Sequence, residues 1–596
     1  MHETGARGGV AGSHAGDFRT FPAYHRGMPA VRPLLTTPLA SQQSFLQGLV
    51  GFVAVLAVLR LIMALAWPVP LSVDEAQYLA WSREFQWGYY SKPPVIAWML
   101  GVGDAVCPAS LLGVEACTRW LQPVAMAGAG LGVALCAHAL FGRLRITAWS
   151  LVLFFTMPLV GFYAQVASTD AWLLLFWAMG LYAFIRATDG PAVQIRGVPA
   201  AVEGRVLEWW MLVGVCAGLG LLTKYSMAAF VVSAFVFLLL ERQLMQPGPW
   251  IALGVALIVF APNLAWNAHW GFPTFGHHAN ILVHDAPSGQ GLEGLVSFFS
   301  AQWLLFGPVL FGMLWFGTGR KLLREMVGVR APFSEGVSRG IRLALCFAWP
   351  ILLIALVQSA VSRSHANWAA PAAIGIALSA AAWWMAESAG RGARLSLGTQ
   401  AALWLSLLGQ GLVAVLLLVL PWVVPLAGGS GDRARDPFVR LAGFAETADA
   451  LRPIALAQAQ AGAPLTIIAR DRDLLAGLTA YLPEARVVYW NREPSDPLRP
   501  PKAENHWALQ KPLDGLPVRT DERFLLVKRV PVCLAKPRPE QTLLDDLALQ
   551  FDGQQPLAST HAEAASALSE VRLKGLSTVG VTATWVSRPP KPAPSQ

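Results

Sequence analysis

The residues most able to do chemistry lie in one stretch, SVDEAQYLAWSREFQWGYYSKPPVIAW, residues 72–98. Two adjacent carboxylates, Asp74 and Glu75, open it, and a single lysine, Lys92, stands before two prolines. Ionisable residues set between apolar runs are costly unless they act. Ser72 and Glu75 have the spacing of a capping box, which predicts a helix from about Val73 to Gln86, stopped at Gly88. On such a helix Asp74, Gln77, Tyr78 and Trp81 share one face. The helix is too short and polar to span a bilayer. It is expected to lie along the membrane surface with Trp81, Trp87, Tyr89 and Tyr90 at headgroup level. Pro93 and Pro94 open a second surface helix through about Val106. Glu75 reads first as the capping partner. Asp74 reads either as a first-turn residue favoured by the helix dipole or as a functional acid.

The elements that position these residues are apolar. The chain has 596 residues, 55% hydrophobic and 14% charged, with a mean hydropathy of +0.47. A soluble domain carries about 25% charged residues, so this composition points to a polytopic membrane protein and excludes a largely disordered chain. The balance of 45 basic against 36 acidic residues gives +9, but the basic residues fall in short loops between apolar runs, which reports topology and not a nucleic-acid partner. Eleven runs are read as spans: 45–67, 119–141, 147–164, 170–187, 208–222, 226–240, 250–266, 297–317, 342–361, 366–386 and 399–426. Soft boundaries extend the range to eleven to thirteen transmembrane helices.

One set of loops holds Arg143, Arg145, Arg186, Arg196, Arg205, Arg242, Arg320, Lys321, Arg324, Arg330, Arg339, Arg342, Arg391 and Arg394. The other holds Arg83, Lys92, Lys224 and Arg363. Fourteen against four places the amino terminus in the cytoplasm and, with eleven spans, the carboxyl terminus outside. Residues 1–44 then form a basic, disordered cytoplasmic tail and 45–426 the membrane domain, with 68–118 as its first external loop. In the polar tail, TIIARD (466–471), VVYW (487–490) and FLLVK (524–528) read as strands, with a helix at 472–482 between the first two. This predicts a small external α/β domain over 428–588, followed by a disordered end, 589–596. Six cysteines without a CxxC are no disulfide scaffold, but Cys107 and Cys117, ten residues apart in the external loop, are a candidate pair.

The stretch DEAQYLAWSREFQWGYYSKPPVIAW resembles the first external loop of polyprenyl-phosphate-sugar glycosyltransferases. These are GT-C-fold membrane enzymes related to the family 39 protein O-mannosyltransferases and to the bacterial aminoarabinose and galacturonic acid transferases of lipid A. YAQVASTDAWLLLFWA (163–178), GLGLLTKYS (218–226), PNLAWNAHWGFPTFGHHA (262–279) and RSHANWAAPA (363–372) follow in the family's order and thread residues 45–426. The tail resembles the family's small external domain loosely.

The resemblance implies transfer of one sugar from an isoprenoid phosphate to an acceptor at the outer face, with the lipid-linked sugar as substrate and the bilayer as surroundings. It implies Asp74 as general base and Asp170 as a second acid orienting donor or acceptor, although Asp170 also reads as a helix N-cap. It implies Lys92 near the donor phosphate, although Lys92 and Lys224 also read as snorkelling lysines. Glu75, Tyr78, Lys224, Arg363 and His365 complete the expected binding set, with Asn367 beside the last two. Two departures stand out. Gln77 replaces an arginine of the aminoarabinose enzymes, and Ser91 replaces a metal-binding glutamate. His277 and His278 remain candidates for a divalent metal or the donor phosphate, or are a solvated pair.

The favoured function is therefore a bacterial inner-membrane glycosyltransferase acting on lipid A, a glycolipid or another envelope glycan. The rivals are a protein O-glycosyltransferase, a pyrophosphate-dependent oligosaccharyl ligase, a secondary transporter and a non-catalytic assembly protein. A transporter is expected to show internal repeats and a midplane site, whereas here the polar residues gather at one surface and no repeat is visible.

Overall fold

The computed structural model describes residues 39–189, 200–283, 291–327, 334–362, 364–390, 397–426, 443–489, 503, 505–511, 523–531 and 579–586. The expected basic tail, apart from its last residues, and the last residues of the chain lie outside this set, as does Arg363.

Among the described residues six helices are long and apolar enough to cross a membrane: Gln47–Ala66, Val114–Phe141, Thr169–Thr188, Pro247–His269, Glu335–Val361 and Trp404–Val423. They account for six of the eleven expected runs. Four others are shorter apolar helices, Leu144–Thr156, Val206–Leu221, Tyr225–Leu240 and Ala372–Met385. The run at 297–317 is not one straight span: Gly291–Phe306 and Pro308–Arg324 meet at 112°. Gly307 makes the corner with φ +87, and a Cβ there would sit 1.8 Å from the Gln410 amide. Hydropathy averages across such a corner and cannot see it.

The apolar side chains of these helices form one continuous core. A second core belongs to the tail. There β1 (Leu465–Ala469), β2 (Arg486–Tyr489), β3 (Arg523–Pro531) and β4 (Val579–Val586) form a sheet of order β2-β1-β3-β4. β1 is parallel to β2 and β3, with Ile467 opposite Val487 and Leu525, while β4 is antiparallel to β3. Helices Phe444–Gln460 and Arg472–Tyr481 pack with it. The sequence reading missed β4 and the helices Phe444–Gln460 and His506–Gln510, and found the other described elements of the tail within a few residues.

The helix after Ser72 runs from Val73 to Ser82, four residues shorter than expected. Its last carbonyls are taken by side chains: the Ser82 hydroxyl donates to Leu79 at 2.7 Å, and the Tyr89 hydroxyl lies 3.1 Å from the Trp81 carbonyl. Gly88 serves a close approach and not a helix stop. A Cβ there would meet the Trp266 ring at 2.4 Å, and the neighbouring Trp87 carbonyl accepts from Asn263 Nδ2 at 2.7 Å.

This helix does not lie on a lipid surface. Leu71, Ala76 and Leu79 belong to the core of the α/β domain, and Tyr78 and Trp81 to the membrane core. Trp81, Tyr89 and Tyr90 are buried, and of the four aromatics expected at headgroup level only Trp87 is exposed. The first loop is thus the layer between the two cores. Cys107 and Cys117 form a disulfide in it, with Cα atoms 5.4 Å apart.

Candidate active site

Helix Val73–Ser82 is fixed from below by Glu75. The capping box closes as expected: the Glu75 carboxylate accepts from Ser72 N at 2.9 Å, and Ser72 Oγ accepts from Glu75 N at 3.2 Å. The same carboxylate accepts from Ala167 N at 2.9 Å and from Arg119 Nε and Nη2 at 2.8 and 2.9 Å. Arg119 in turn donates to the carbonyls of Val69 and Pro70. Burial pushes the Glu75 carboxyl up, but the Arg119 charge and these hydrogen bonds outweigh it and hold it below the usual carboxylate range. All of this binding capacity is spent inside the protein. Glu75 is a structural tie between the loop, Arg119 and the segment leading to Asp170, which corrects its placement among the substrate-binding residues.

With Glu75 facing inward, Asp74 faces out of the helix at the boundary of the two cores. Arg472, the first residue of helix Arg472–Tyr481, donates from Nη2 to Asp74 Oδ1 and from Nε to Gln77 Oε1, the latter at 2.7 Å. Gln77, where the resemblance expects an arginine, therefore receives a guanidinium from the other domain. Tyr78 is buried one turn on from Asp74, and its hydroxyl has no hydrogen bond among the described residues. Burial, and then the Asp74 charge, raise its pKa well above the ordinary value, so it stays a neutral donor.

Asp170 lies on the opposite wall. The N-cap of helix Thr169–Thr188 is Ser168, whose hydroxyl accepts from Asp170 N at 3.2 Å, so the capping expectation for Asp170 is wrong. Its carboxylate accepts from Lys224 Nζ and from Asn367 Nδ2, both at 2.9 Å. Lys224 does not snorkel. It precedes the 3-10 turn Tyr225–Met227 and reaches inward from there.

Lys92 sits between the walls. Its turn is held by Tyr89 N on the Lys92 carbonyl and by Val95 N on Leu222 O, at 3.1 and 3.0 Å. Nζ makes no hydrogen bond or ion pair with a described residue, while the charges of Lys224, Asp74, Asp170 and Arg472 all reach it. Burial, and then Lys224, lower its pKa. Three cations, Lys92, Lys224 and Arg472, thus stand against two carboxylates. Arg472 and Lys224 are paired, and among the described residues Lys92 is left over, so an anion would be favoured beside it.

The histidines close one side. His278 Nδ1 lies 2.8 Å from the Thr274 carbonyl, which puts the ring proton on Nδ1. Burial lowers its pKa, and Lys92 and Lys224 add to the effect. His277 packs against Tyr90, with ring centroids 5.2 Å apart. Among the described residues no three His, Cys, Asp or Glu side chains come together to hold a metal. Ser91 contributes no carboxylate at the position where the resemblance expects the glutamate. His365 is exposed, with its ring 6.0 Å from that of Trp368. Arg363 lies outside the described residues. The sequence reading missed Arg119 and Arg472. Arg119, a lone charge at the head of an apolar run, carried a signal; Arg472 carried none.

This arrangement can take a proton at Asp74 and stabilise an anion at Lys92, beneath a soluble domain and at the mouth of a helical bundle. The profile described as dolichyl-phosphate-mannose-protein mannosyltransferase matches residues 91–266. Over 475 residues the chain is 29% identical to the lipid A galacturonosyltransferase RgtD of Rhizobium johnstonii, covering 79% of this chain and 90% of that one. It is also 29% identical to an undecaprenyl phosphate-alpha-4-amino-4-deoxy-L-arabinose arabinosyl transferase of Pseudomonas fluorescens, over 38% of this chain and 41% of that one. The fold matches apo ArnT from Cupriavidus metallidurans with a TM-score of 0.53 at 16% identity, covering 90% of this chain and 98% of that one. The chain is a multi-pass membrane glycosyltransferase of the GT-C fold. It stands near the aminoarabinose and galacturonic acid transferases of lipid A.

Proposed function

We propose that the chain moves one sugar from a polyprenyl-phosphate donor onto lipid A, or onto another envelope glycolipid or glycan, at the outer face of the bacterial cytoplasmic membrane. The observation that carries this reading is Lys92, which the Asp74 and Asp170 charges reach and which has no ion pair with a described residue. The names of the relatives support lipid A as acceptor and undecaprenyl phosphate as carrier. The α/β domain packs on the first loop, which supports both lying on one side of the membrane, and the charge distribution supports that side being the outer one.

In this reading an acceptor hydroxyl beside Asp74 loses its proton to the carboxylate as its oxygen attacks the anomeric carbon. The bond from that carbon to the phosphate oxygen breaks, and the electron pair leaves with the polyprenyl phosphate. Lys92 answers the charge that gathers there. Asp170, held by Lys224 and Asn367, orients the sugar.

Lys92→Ala is expected to lower kcat/KM for the donor by roughly 10–100-fold, the worth of one hydrogen bond to a charged group. The acceptor KM should move less. Titrating each substrate at saturation of the other checks this, and equal effects on both would remove Lys92 from the phosphate. The acceptor itself is read by mass spectrometry of envelope lipids from cells with and without the gene. A single sugar increment missing from a lipid A species supports the reading, and unchanged lipids with a changed protein glycan would move it to the protein O-glycosyltransferase class.

A further inference from the structure

We propose that Arg472 of the α/β domain is a specificity-determining residue that holds an anionic group of the acceptor, phosphate or carboxylate, beside Asp74. This rests on the reading that the chain transfers a sugar to an envelope glycolipid.

Arg472 does not reach Asp74 by chance. Helix Arg472–Tyr481 is tied to the first loop at its far end: Arg83 donates to the carbonyls of Thr479 and Ala480, and the Tyr481 hydroxyl joins Leu71 N and Glu115 at 3.0 and 2.8 Å. Leu475 and Leu478 share a core with Ala76 and Leu79 between these ends. The interface therefore sets the guanidinium over the first turn of helix Val73–Ser82.

The guanidinium is not used up there. Nε is on Gln77 and Nη2 on Asp74, while Nη1 has no hydrogen bond among the described residues. The pair is open to solvent, with 44% of the Arg472 side chain and 61% of the Asp74 side chain exposed. An exposed ion pair stabilises little, so an incoming anion can take its place. The arginine fork matches the two oxygens of a phosphate or carboxylate. Arg472 opens its helix, so the positive end of the helix dipole lies beside it, with Asp473 in the same turn. Lys92 and Lys224 cannot do this work for the acceptor, because Lys224 is buried on Asp170 and Lys92 lies between the walls. As the acceptor anion takes Arg472, the Asp74 carboxylate is released to face the reacting hydroxyl. The base is thus freed only when the correct acceptor is in place.

The test uses the purified full chain, an undecaprenyl-phosphate-linked sugar and two disaccharide glycolipids. Both carry the free reacting hydroxyl, and only one bears a phosphate elsewhere on its headgroup. Arg472→Gln is expected to raise the acceptor KM at least ~10-fold more for the phosphorylated glycolipid than for the neutral one, the worth of one hydrogen bond to a charged group. Arg472→Lys, which keeps the charge without the fork, should fall between. A carboxylated glycolipid in a third arm tells which anion the fork prefers. Equal losses with both glycolipids would make Arg472 a structural tie and overturn the inference. A larger effect on donor KM than on acceptor KM would assign it to the donor and overturn it as well. If the wild-type chain transfers sugar to neither glycolipid, the glycolipid reading itself fails and this inference falls with it. Transfer by wild type without discrimination in Arg472→Gln sinks the inference alone.

Discussion

Asp74→Asn is expected to insert and fold normally and to transfer sugar at least ~100-fold more slowly, within the 10²–10⁴ range of a lost general base. The structure separates fold from chemistry at this residue. The capping box belongs to Ser72 and Glu75, and Asn keeps an oxygen that can accept from Arg472. What disappears is the ability of the carboxylate to take a proton. The loss should appear in kcat with little change in donor KM, the pattern of an interaction made in the transition state. Near-full activity in Asp74→Asn would mean that the attacking oxygen is already an anion, as on a phosphate acceptor, and that no base is needed.

Glu75→Gln is expected to destabilise the protein by about 3–5 kcal/mol, the cost of breaking a buried ion pair by removing one partner. From the capping box alone this change looks mild, because glutamine also completes the box. The structure reverses that expectation. Both side chains are almost wholly buried, with 2% of Glu75 and none of Arg119 exposed, and glutamine leaves the guanidinium without a counter-charge. Thermal unfolding in detergent should show a large loss for Glu75→Gln and for Arg119→Met. Changing Glu75 to Leu and Arg119 to Met together should cost less than the two losses added.

The pH dependence has a definite sign. The folded-state pKa of Glu75 lies below its unfolded value of about 4.3. The tie therefore contributes fully above that pH and weakens as the pH falls through the folded value. The gap between wild type and Glu75→Gln should be wide at neutral pH and narrow in acid. A gap independent of pH would show that the carboxylate charge is not what holds Arg119.

The two residues differ in how much of this their neighbours in sequence reveal. The start of the first-loop helix was legible because a capping box is local, with both partners within three residues. Its end was not, because Tyr89 and the α/β domain set it through tertiary packing. Asp170 carried two readings, cap or functional acid; the cap is Ser168, and the Lys224 that pairs with Asp170 lies 54 residues away. Hydropathy found every apolar run but not the corner at Gly307, which is a matter of one backbone angle. Arg472 stood inside an ordinary amphipathic helix, and nothing local tied it to an acid 398 residues earlier. The motifs of the membrane part singled out the two acids and Lys92, whose charges reach one another in the fold, while the contribution of the α/β domain became visible only in the packed chain.

Asp74, Lys92 and Asp170 together are proposed to form one site for sugar transfer from a polyprenyl phosphate. Reconstitution tests this most directly: purified chain, a set of undecaprenyl-phosphate-linked sugars, lipid A acceptors, and product mass as the readout. The expected result is one added sugar with wild type, released undecaprenyl phosphate in equal amount, and at least ~100-fold less of both with Asp74→Asn at matched folding. Transfer at equal rates by wild type and by variants at Asp74 and Lys92 would contradict it, and would place the chemistry elsewhere in the molecule.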